Sequence, residues 1–122
     1  MIRNDWVVAG TTAALLLAGP PAHAGNVKQI SGVAAFYDKD YSGRTASGER
    51  YDPVKFTCAH RTLPFGTRVL VTDARTHRSV VVTVNDRGPF NKGRMLDLSL
   101  AAAKALHMID RGLIHVTAVV QQ

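Results

Sequence analysis

Alternation of apolar and polar positions, together with many β-branched residues, marks short strands along most of the chain. The sequence predicts strands at residues 29–37, 56–59, 67–72, 79–85, 95–98 and 113–120. The strand at 79–85 is nearly continuous in valine, which predicts burial on both of its faces, as in a closed barrel.

Glycines, prolines and polar residues separate these strands. A polar segment over residues 38–52 is predicted to form a long loop. The spacing of Leu100, Ala103 and Leu106 predicts one helix over residues 99–107, with Ser99 as its N-cap. Five or six short strands and one brief helix predict a mainly β fold, a small closed barrel without exposed sheet edges.

The first 24 residues have the features of a signal peptide. An apolar run over 6–18 precedes an Ala-His-Ala cleavage site at 22–24. An uncleaved anchor is the alternative, because Asp5 weakens the positive charge of the N-terminal region. Cleavage would leave residues 25–122 as one domain, with length for one hydrophobic core and not for two.

No other apolar run approaches the length of a membrane span, so we expect no stable membrane insertion after cleavage. No cysteine stands at the cleavage point to carry a lipid. We therefore expect a periplasmic or secreted protein that is not lipid-anchored.

The formal net charge of +6 favours a large anionic partner. The candidate anions are the cell wall, lipid headgroups and nucleic acid. Export and the lack of an aromatic and basic nucleic-acid motif make nucleic acid the least favoured of the three, and the cell wall is the expected partner. We expect a monomer. No spacing of His, Cys, Asp and Glu matches a standard metal site, so no metal or other cofactor is predicted. Cys58, the one cysteine of the chain, is expected to be buried.

Three polar residues stand in loops or at strand ends beside glycines and prolines: Glu49, His60 and Asp86. Catalytic groups concentrate in loops that a rigid scaffold holds in place. Cleavage of a glycosidic bond needs a proton on the leaving oxygen, which a carboxylic acid can supply. A hydrolase usually needs a second carboxylate, whereas a lytic mechanism can use one, because the sugar's own 6-hydroxyl attacks.

Each of these residues also has a structural interpretation. Asp86 could close an Asx turn, Glu49 could be a solvated loop charge, and His60 could make a structural hydrogen bond. We expect Asp97 to be a capping or first-turn acid of the helix. A Cys58–His60 nucleophile pair is a weaker alternative, because nothing in the sequence suggests an oxyanion site.

Three ordered segments stand out: GVAAFYDKDYSGRTASGERYDP, FTCAHRTLPFGTRVLVT and VVVTVNDRGPFNKGRMLDLSLAAAKAL. Together they resemble the rare lipoprotein A family of septal, endolytic peptidoglycan lytic transglycosylases, which have a double-psi β-barrel. The resemblance implies six strands with one or two short helices, and a cut between N-acetylmuramic acid and N-acetylglucosamine that leaves a 1,6-anhydro end. It implies Asp86 as the acid and base, supported by Glu49 and His60.

The same resemblance gives Arg87 and Arg61 a role on the lactyl carboxylates of the substrate, through charge-assisted contacts. Ser47, Asn85 and Tyr37 complete the predicted substrate-binding set. The chain shows neither the family's lipid-bearing cysteine nor its C-terminal glycan-binding module. Two other functions remain open: a non-enzymatic wall-binding module of the expansin type, and a secreted effector or inhibitor that uses the barrel as a scaffold.

Overall fold

Six strands and one helix follow one another in the part of the chain that the structure, a computed structural model, describes: residues 28–121. The signal-peptide prediction for residues 1–24 lies outside these residues. Each strand end lies within one residue of its prediction. The elements are β1 (Gln29–Phe36), β2 (Thr57–Ala59), β3 (Arg68–Asp73), β4 (Ser79–Asp86), β5 (Leu96–Leu98), α1 (Leu100–Ala105) and β6 (Ile114–Val120).

The strands close into a barrel in the order β1-β5-β2-β4-β3-β6. The pairs β1/β5 and β2/β4 are parallel, and the other four pairs are antiparallel. Closure gives every strand two neighbours, so no sheet edge is exposed. The predicted six-stranded barrel is confirmed.

The barrel interior is filled by one side of each strand. In β4, Val82 and Val84 are fully buried, while Val80 and Val81 are partly exposed. The prediction that β4 is buried on both faces is therefore wrong. The outer face of a small antiparallel-rich barrel is in contact with water, so a valine run can serve one face only.

Helix α1 begins after Ser99, whose Oγ accepts a hydrogen bond from the N–H of Ala102 at 3.3 Å, so the predicted N-cap is confirmed. The helix ends before His107, which lies in the left-handed region at a φ of 54°. Asp97 is not a helix acid as expected: it lies in β5 and forms an ion pair with Arg94 at 2.7 Å. No helix within residues 28–121 has the length and apolarity to cross a bilayer.

Candidate active site

The predicted catalytic residues meet at one end of the barrel, which we call the site pole. Because β2 and β4 are parallel, their C-terminal ends lie side by side, and the N–H of His60 donates to the carbonyl of Asp86 at 3.2 Å. The long loop folds over the same end, where the N–H of Ser47 donates to the carbonyl of Asn85 at 3.2 Å. The structure thus brings the Glu49 loop, His60 and Asp86 together.

The half-buried Asp86 carboxylate accepts hydrogen bonds on both oxygens. Its Oδ1 accepts from the backbone N–H groups of Ala46 at 2.7 Å and Arg87 at 2.8 Å, and its Oδ2 accepts from the hydroxyl of Tyr37. An Asx turn would use the N–H of Gly88, two residues on, so that alternative is wrong. Three donors thus fix the position of this carboxylate.

Tyr37 is held between Asp86 and two other tyrosines. Burial raises its pKa, and so do the hydrogen bond to Asp86 and the nearby charges of Asp86 and Asp97. Its hydroxyl therefore keeps its proton and serves as a donor. The ring of Tyr37 stacks on Tyr51, with centroids 4.4 Å apart, and Tyr41 lies at 5.2 Å.

The sequence predicts Tyr37 as a substrate contact and does not single out Tyr41 or Tyr51. The buried Tyr51 connects this cluster to the helix, because its hydroxyl oxygen accepts from the N–H of Leu100 at 3.0 Å. The sequence feature that indicates this cluster is the presence of three tyrosines within and beside one polar loop.

Glu49 is exposed but anchored. Its Oε1 accepts from the side-chain amide of the buried Asn85 at 3.0 Å and lies 3.5 Å from the Ser47 hydroxyl. The loop turns at Gly48, whose φ of 95° favours glycine, and closes through the N–H of Thr45 to the carbonyl of Glu49 at 2.7 Å. The solvated-charge interpretation therefore describes only part of this residue's environment.

The His60 ring makes the structural hydrogen bonds that its alternative interpretation proposed. Its Nδ1 accepts from the N–H groups of Thr62 at 3.1 Å and Leu63 at 3.0 Å. A ring nitrogen that accepts carries no proton, so the hydrogen bonding assigns the proton of neutral His60 to Nε2. Burial lowers the His60 pKa, and the positive charges of Lys28, Arg61 and Arg87 lower it further.

The two arginines of the predicted substrate-binding set are tied to backbone carbonyls. Arg87 Nη1 donates to the carbonyls of Leu63 at 2.8 Å and His60 at 3.2 Å. Arg61 Nη2 donates to the carbonyl of Arg94, and Arg61 is exposed. Their contact with substrate carboxylates stays a prediction, and Arg61 is the more accessible of the two.

The alternative nucleophile, Cys58, lies inside the barrel. Its side chain is fully buried, as expected, between its strand partners Val84 and Leu98. Burial raises the pKa of the thiol to about 12, so it remains protonated at neutral pH. The Cys58–His60 pair is therefore excluded as a catalytic dyad.

A cleft of about 330 Å³ opens at the site pole beside β4. Three predicted site residues line it: Ser47, Glu49 and Asn85. The rest of the lining comes from Phe65, Gly66, Thr83 and Val84. Within residues 28–121, no three side chains of His, Cys, Asp or Glu are grouped so that they could hold a metal ion.

Residues 29–118 match the profile of a protein family described as "Lytic transglycolase". The chain is 56% identical over 86 residues to a probable endolytic peptidoglycan transglycosylase RlpA of a Nostoc species, a match that covers 68% of this chain and 23% of that protein. It is 52% identical over 86 residues to the endolytic peptidoglycan transglycosylase RlpA of Pasteurella multocida, covering 70% of this chain and 29% of that protein. The chain thus spans less than a third of the length of these two relatives.

Solved structures share the barrel. The Streptomyces papain inhibitor superposes with a TM-score of 0.62 at 25% identity, covering 77% of this chain and 96% of the inhibitor. An expansin from Clavibacter michiganensis superposes with a TM-score of 0.61 at 22% identity, covering 78% of this chain and 51% of the expansin. The expansin likeness concerns the fold alone.

Proposed function

The chain belongs to the lytic transglycolase family of double-psi β-barrels, and on this premise we propose that it cuts the glycan strands of peptidoglycan by a lytic reaction. The bond cut is the one between N-acetylmuramic acid and N-acetylglucosamine. The product is a 1,6-anhydro-muramic end.

The observation that carries the proposal is the environment of Asp86. Its carboxylate stands at the C-terminal end of β4, and a proton-carrying hydroxyl, that of Tyr37, contacts Oδ2. The two backbone N–H groups on Oδ1 fix the carboxylate's orientation. Asp86 therefore has one oxygen held by the fold and one available for proton exchange.

The reaction needs Asp86 to donate one proton and then to receive one. Protonated Asp86 gives its proton to the leaving oxygen of N-acetylglucosamine as the bond from C1 of N-acetylmuramic acid breaks. The 6-hydroxyl of the same muramic acid then bonds to C1 and returns its proton to Asp86, so no water is consumed. Tyr37 suits both states of Asp86, because a phenol hydroxyl can donate to the carboxylate or accept from the acid.

Glu49 and His60 support this step from either side of Asp86. We assign Glu49, anchored by Asn85, to a hydroxyl or amide of the bound sugar. His60, neutral with its proton on Nε2, is assigned as a hydrogen-bond donor to the substrate rather than as a proton acceptor. Because peptidoglycan lies outside the cytoplasm, we propose a periplasmic or secreted site of action.

The test is a digest of purified glycan strands, intact and peptide-stripped, with mass spectrometry for anhydro ends. We expect the wild type to produce them and Asp86→Asn to reduce their formation at least a hundredfold, as loss of a general acid does. Asp110→Asn is the matched control, because Asp110 is an exposed acid away from the site. Loss of the folded state in Asp86→Asn, seen by circular dichroism, would favour a structural role for this residue.

The same digest separates the other two functions. A wall-binding module of the expansin type would retain the strands without creating new ends. A protein inhibitor would neither retain nor cut them. Either result with folded wild type contradicts the proposal.

A further inference from the structure

Phe65 is an aromatic side chain with a fixed position at the edge of the site. It follows Pro64 in the turn before β3 and is 42% exposed. The Arg87 guanidinium lies over its ring, 4.1 Å from the centroid, which is a cation–π contact. Since Arg87 is itself bonded to the carbonyls of Leu63 and His60, the guanidinium covers one face of the ring.

The backbone beside Phe65 is equally well held. The N–H of Gly66 donates to the carbonyl of Val84 at 2.8 Å, and the N–H of Val84 donates to the carbonyl of Thr67 at 2.8 Å. These bonds join the turn to β4 one residue before Asn85. The scaffold therefore fixes the position of Phe65. A small movement of the turn would not bury its exposed ring.

The 330 Å³ cleft that Phe65 lines also has polar groups in its lining. The amide of Asn85 and the carboxylate of Glu49 bond to each other at 3.0 Å, and the hydroxyl of Ser47 lies beside them. The lining thus offers an aromatic ring together with an amide, a carboxylate and a hydroxyl. Binding clefts for organic ligands combine such an apolar surface with a few placed polar groups.

A pyranose ring likewise has apolar faces and a polar rim. Its flat faces present C–H groups, which carry partial positive charge and suit the negative face of an aromatic ring. Its rim carries hydroxyl groups and, in peptidoglycan, an acetamido group. A volume of about 330 Å³ lies at the lower end of the range for small-ligand pockets, which fits one sugar unit rather than a disaccharide.

We propose that this cleft is a subsite for one N-acetylhexosamine unit, with the open face of Phe65 as its stacking platform. The inference rests on the proposed glycan substrate and adds a binding residue to it. Ser47 of the cleft follows Ala46, whose N–H donates to Asp86 Oδ1 at 2.7 Å, so the subsite lies beside the cutting position. Phe65 contributes to affinity and register and takes no part in the proton transfer.

The experiment compares two substitutions of Phe65. Phe65→Leu keeps an apolar side chain and removes the ring, while Phe65→Tyr keeps the ring. Binding of peptide-stripped glycan is measured by calorimetry in the Asp86→Asn background, and KM and kcat are measured in the active protein. We expect Phe65→Leu to raise Kd and KM about tenfold with kcat within about twofold, and Phe65→Tyr to stay near wild type.

Phe56→Leu is the matched control, since Phe56 is exposed to a similar degree, 47%, and lies outside the cleft. Unchanged Kd and KM in Phe65→Leu, with a wild type that cuts, would overturn the subsite and leave the proposed function intact. A wild type that binds strands without cutting would overturn the function, and the calorimetric comparison would still decide the subsite. If Leu and Tyr variants lose binding and thermal stability alike, Phe65 supports Arg87 and the platform is rejected.

Discussion

The hydrogen bonds of a single carboxylate determine much of the chemistry available at the site pole. Two of the three donors to Asp86 are backbone N–H groups, which the fold fixes. The third is the Tyr37 hydroxyl, which can turn from donor to acceptor. Tyr37 is thus the member of this set that can follow a change in the protonation of Asp86.

Replacing Tyr37 by Phe tests this role. Without this hydroxyl, Oδ2 of Asp86 loses the one partner that can donate to the carboxylate and accept from the acid. We therefore expect Tyr37→Phe to lower kcat about tenfold or more. The measurement is the rate of anhydro-end formation.

Tyr41→Phe is the control for Tyr37→Phe, because the Tyr41 hydroxyl contacts only the carbonyl of Arg44, at 3.4 Å, among the described residues. A Tyr37→Phe rate equal to the wild-type rate would rule out a role of the Tyr37 hydroxyl in the reaction.

His60 gives a second prediction for a single residue. Burial lowers its pKa below the ordinary 6.5, so the folded protein binds its proton less readily than the unfolded chain does. The His60 contribution to stability is therefore present above pH 6.5 and is lost as the pH falls below it. Protonation of Nδ1 would also break the hydrogen bonds from Thr62 and Leu63.

We expect ¹⁵N NMR of the folded protein to show the Nε2–H tautomer of His60 at pH 7 and a midpoint below 6.5. His60→Asn identifies the signal and offers a side-chain oxygen in place of Nδ1. This variant should remain folded and lose activity, since it lacks the ring N–H. A His60 ring protonated on Nδ1 at pH 7 would contradict the assignment.

At the level of elements, the pattern of the sequence predicted each strand and missed seven of the twelve strand ends by one residue. The ends depend on pairing between distant segments. Asp86 extends β4 because it pairs with Ala59 beyond a register shift in β2, and Asp73 extends β3 because it pairs with Val116. Local periodicity contains no information about such partners.

The composition of the site was less predictable than the strands. The motifs identified Glu49, His60 and Asp86, but the Tyr37–Asp86 contact joins positions 49 residues apart through the barrel topology. Asp97 was misassigned for the same reason. Its place just before an N-cap suggests a helix acid, whereas pairing with Ala59 keeps it in β5.

Ser99 links two of these elements, which makes it a test of how much the short helix depends on its cap. Its buried Oγ accepts from the N–H of Ala102 in α1 and from the N–H of Thr57 at the start of β2, each at 3.3 Å. We expect Ser99→Ala to lower the free energy of unfolding by about 1–2 kcal/mol, because two buried donors lose their acceptor. Urea denaturation measures the change.

The control for this prediction is Ser79→Ala, which removes an exposed hydroxyl at the start of β4. Its effect should stay within about 0.5 kcal/mol, as for most surface substitutions. Equal destabilisation by the two variants would show that the Ser99 cap adds nothing particular to α1.

At the scale of the whole molecule, the proposed catalytic residues lie at the site pole, and a buried ion pair lies at the other end of the barrel, which we call the opposite pole. Asp73 stands at the C-terminal end of β3, and the antiparallel β3/β4 pairing places it far from Asp86. Asp73 is 1% exposed and accepts hydrogen bonds from Arg111, the N–H of Arg75 and the hydroxyl of Thr76. These contacts join the turn after β3 to the segment that leads into β6.

This ion pair predicts how acid affects the fold. The hydrogen bond from Arg111 holds the Asp73 pKa well below its ordinary value of 3.8. The folded state therefore binds fewer protons than the unfolded chain, so the stability from Asp73 is complete above about pH 4 and is lost as the pH falls further. We expect Asp73→Asn to cost about 3 kcal/mol at pH 7, where Arg111 loses a buried partner, and less at pH 3.

Because the two poles are separate, this loss of stability should not extend to the reaction. At a temperature where Asp73→Asn is fully folded, its kcat should equal that of wild type, while its urea midpoint at pH 7 is lower. Asp110→Asn, an exposed acid beside Arg111, should change neither quantity. A fall in kcat for folded Asp73→Asn would mean that the poles communicate through the strands, and the separation of stability from chemistry would then be wrong.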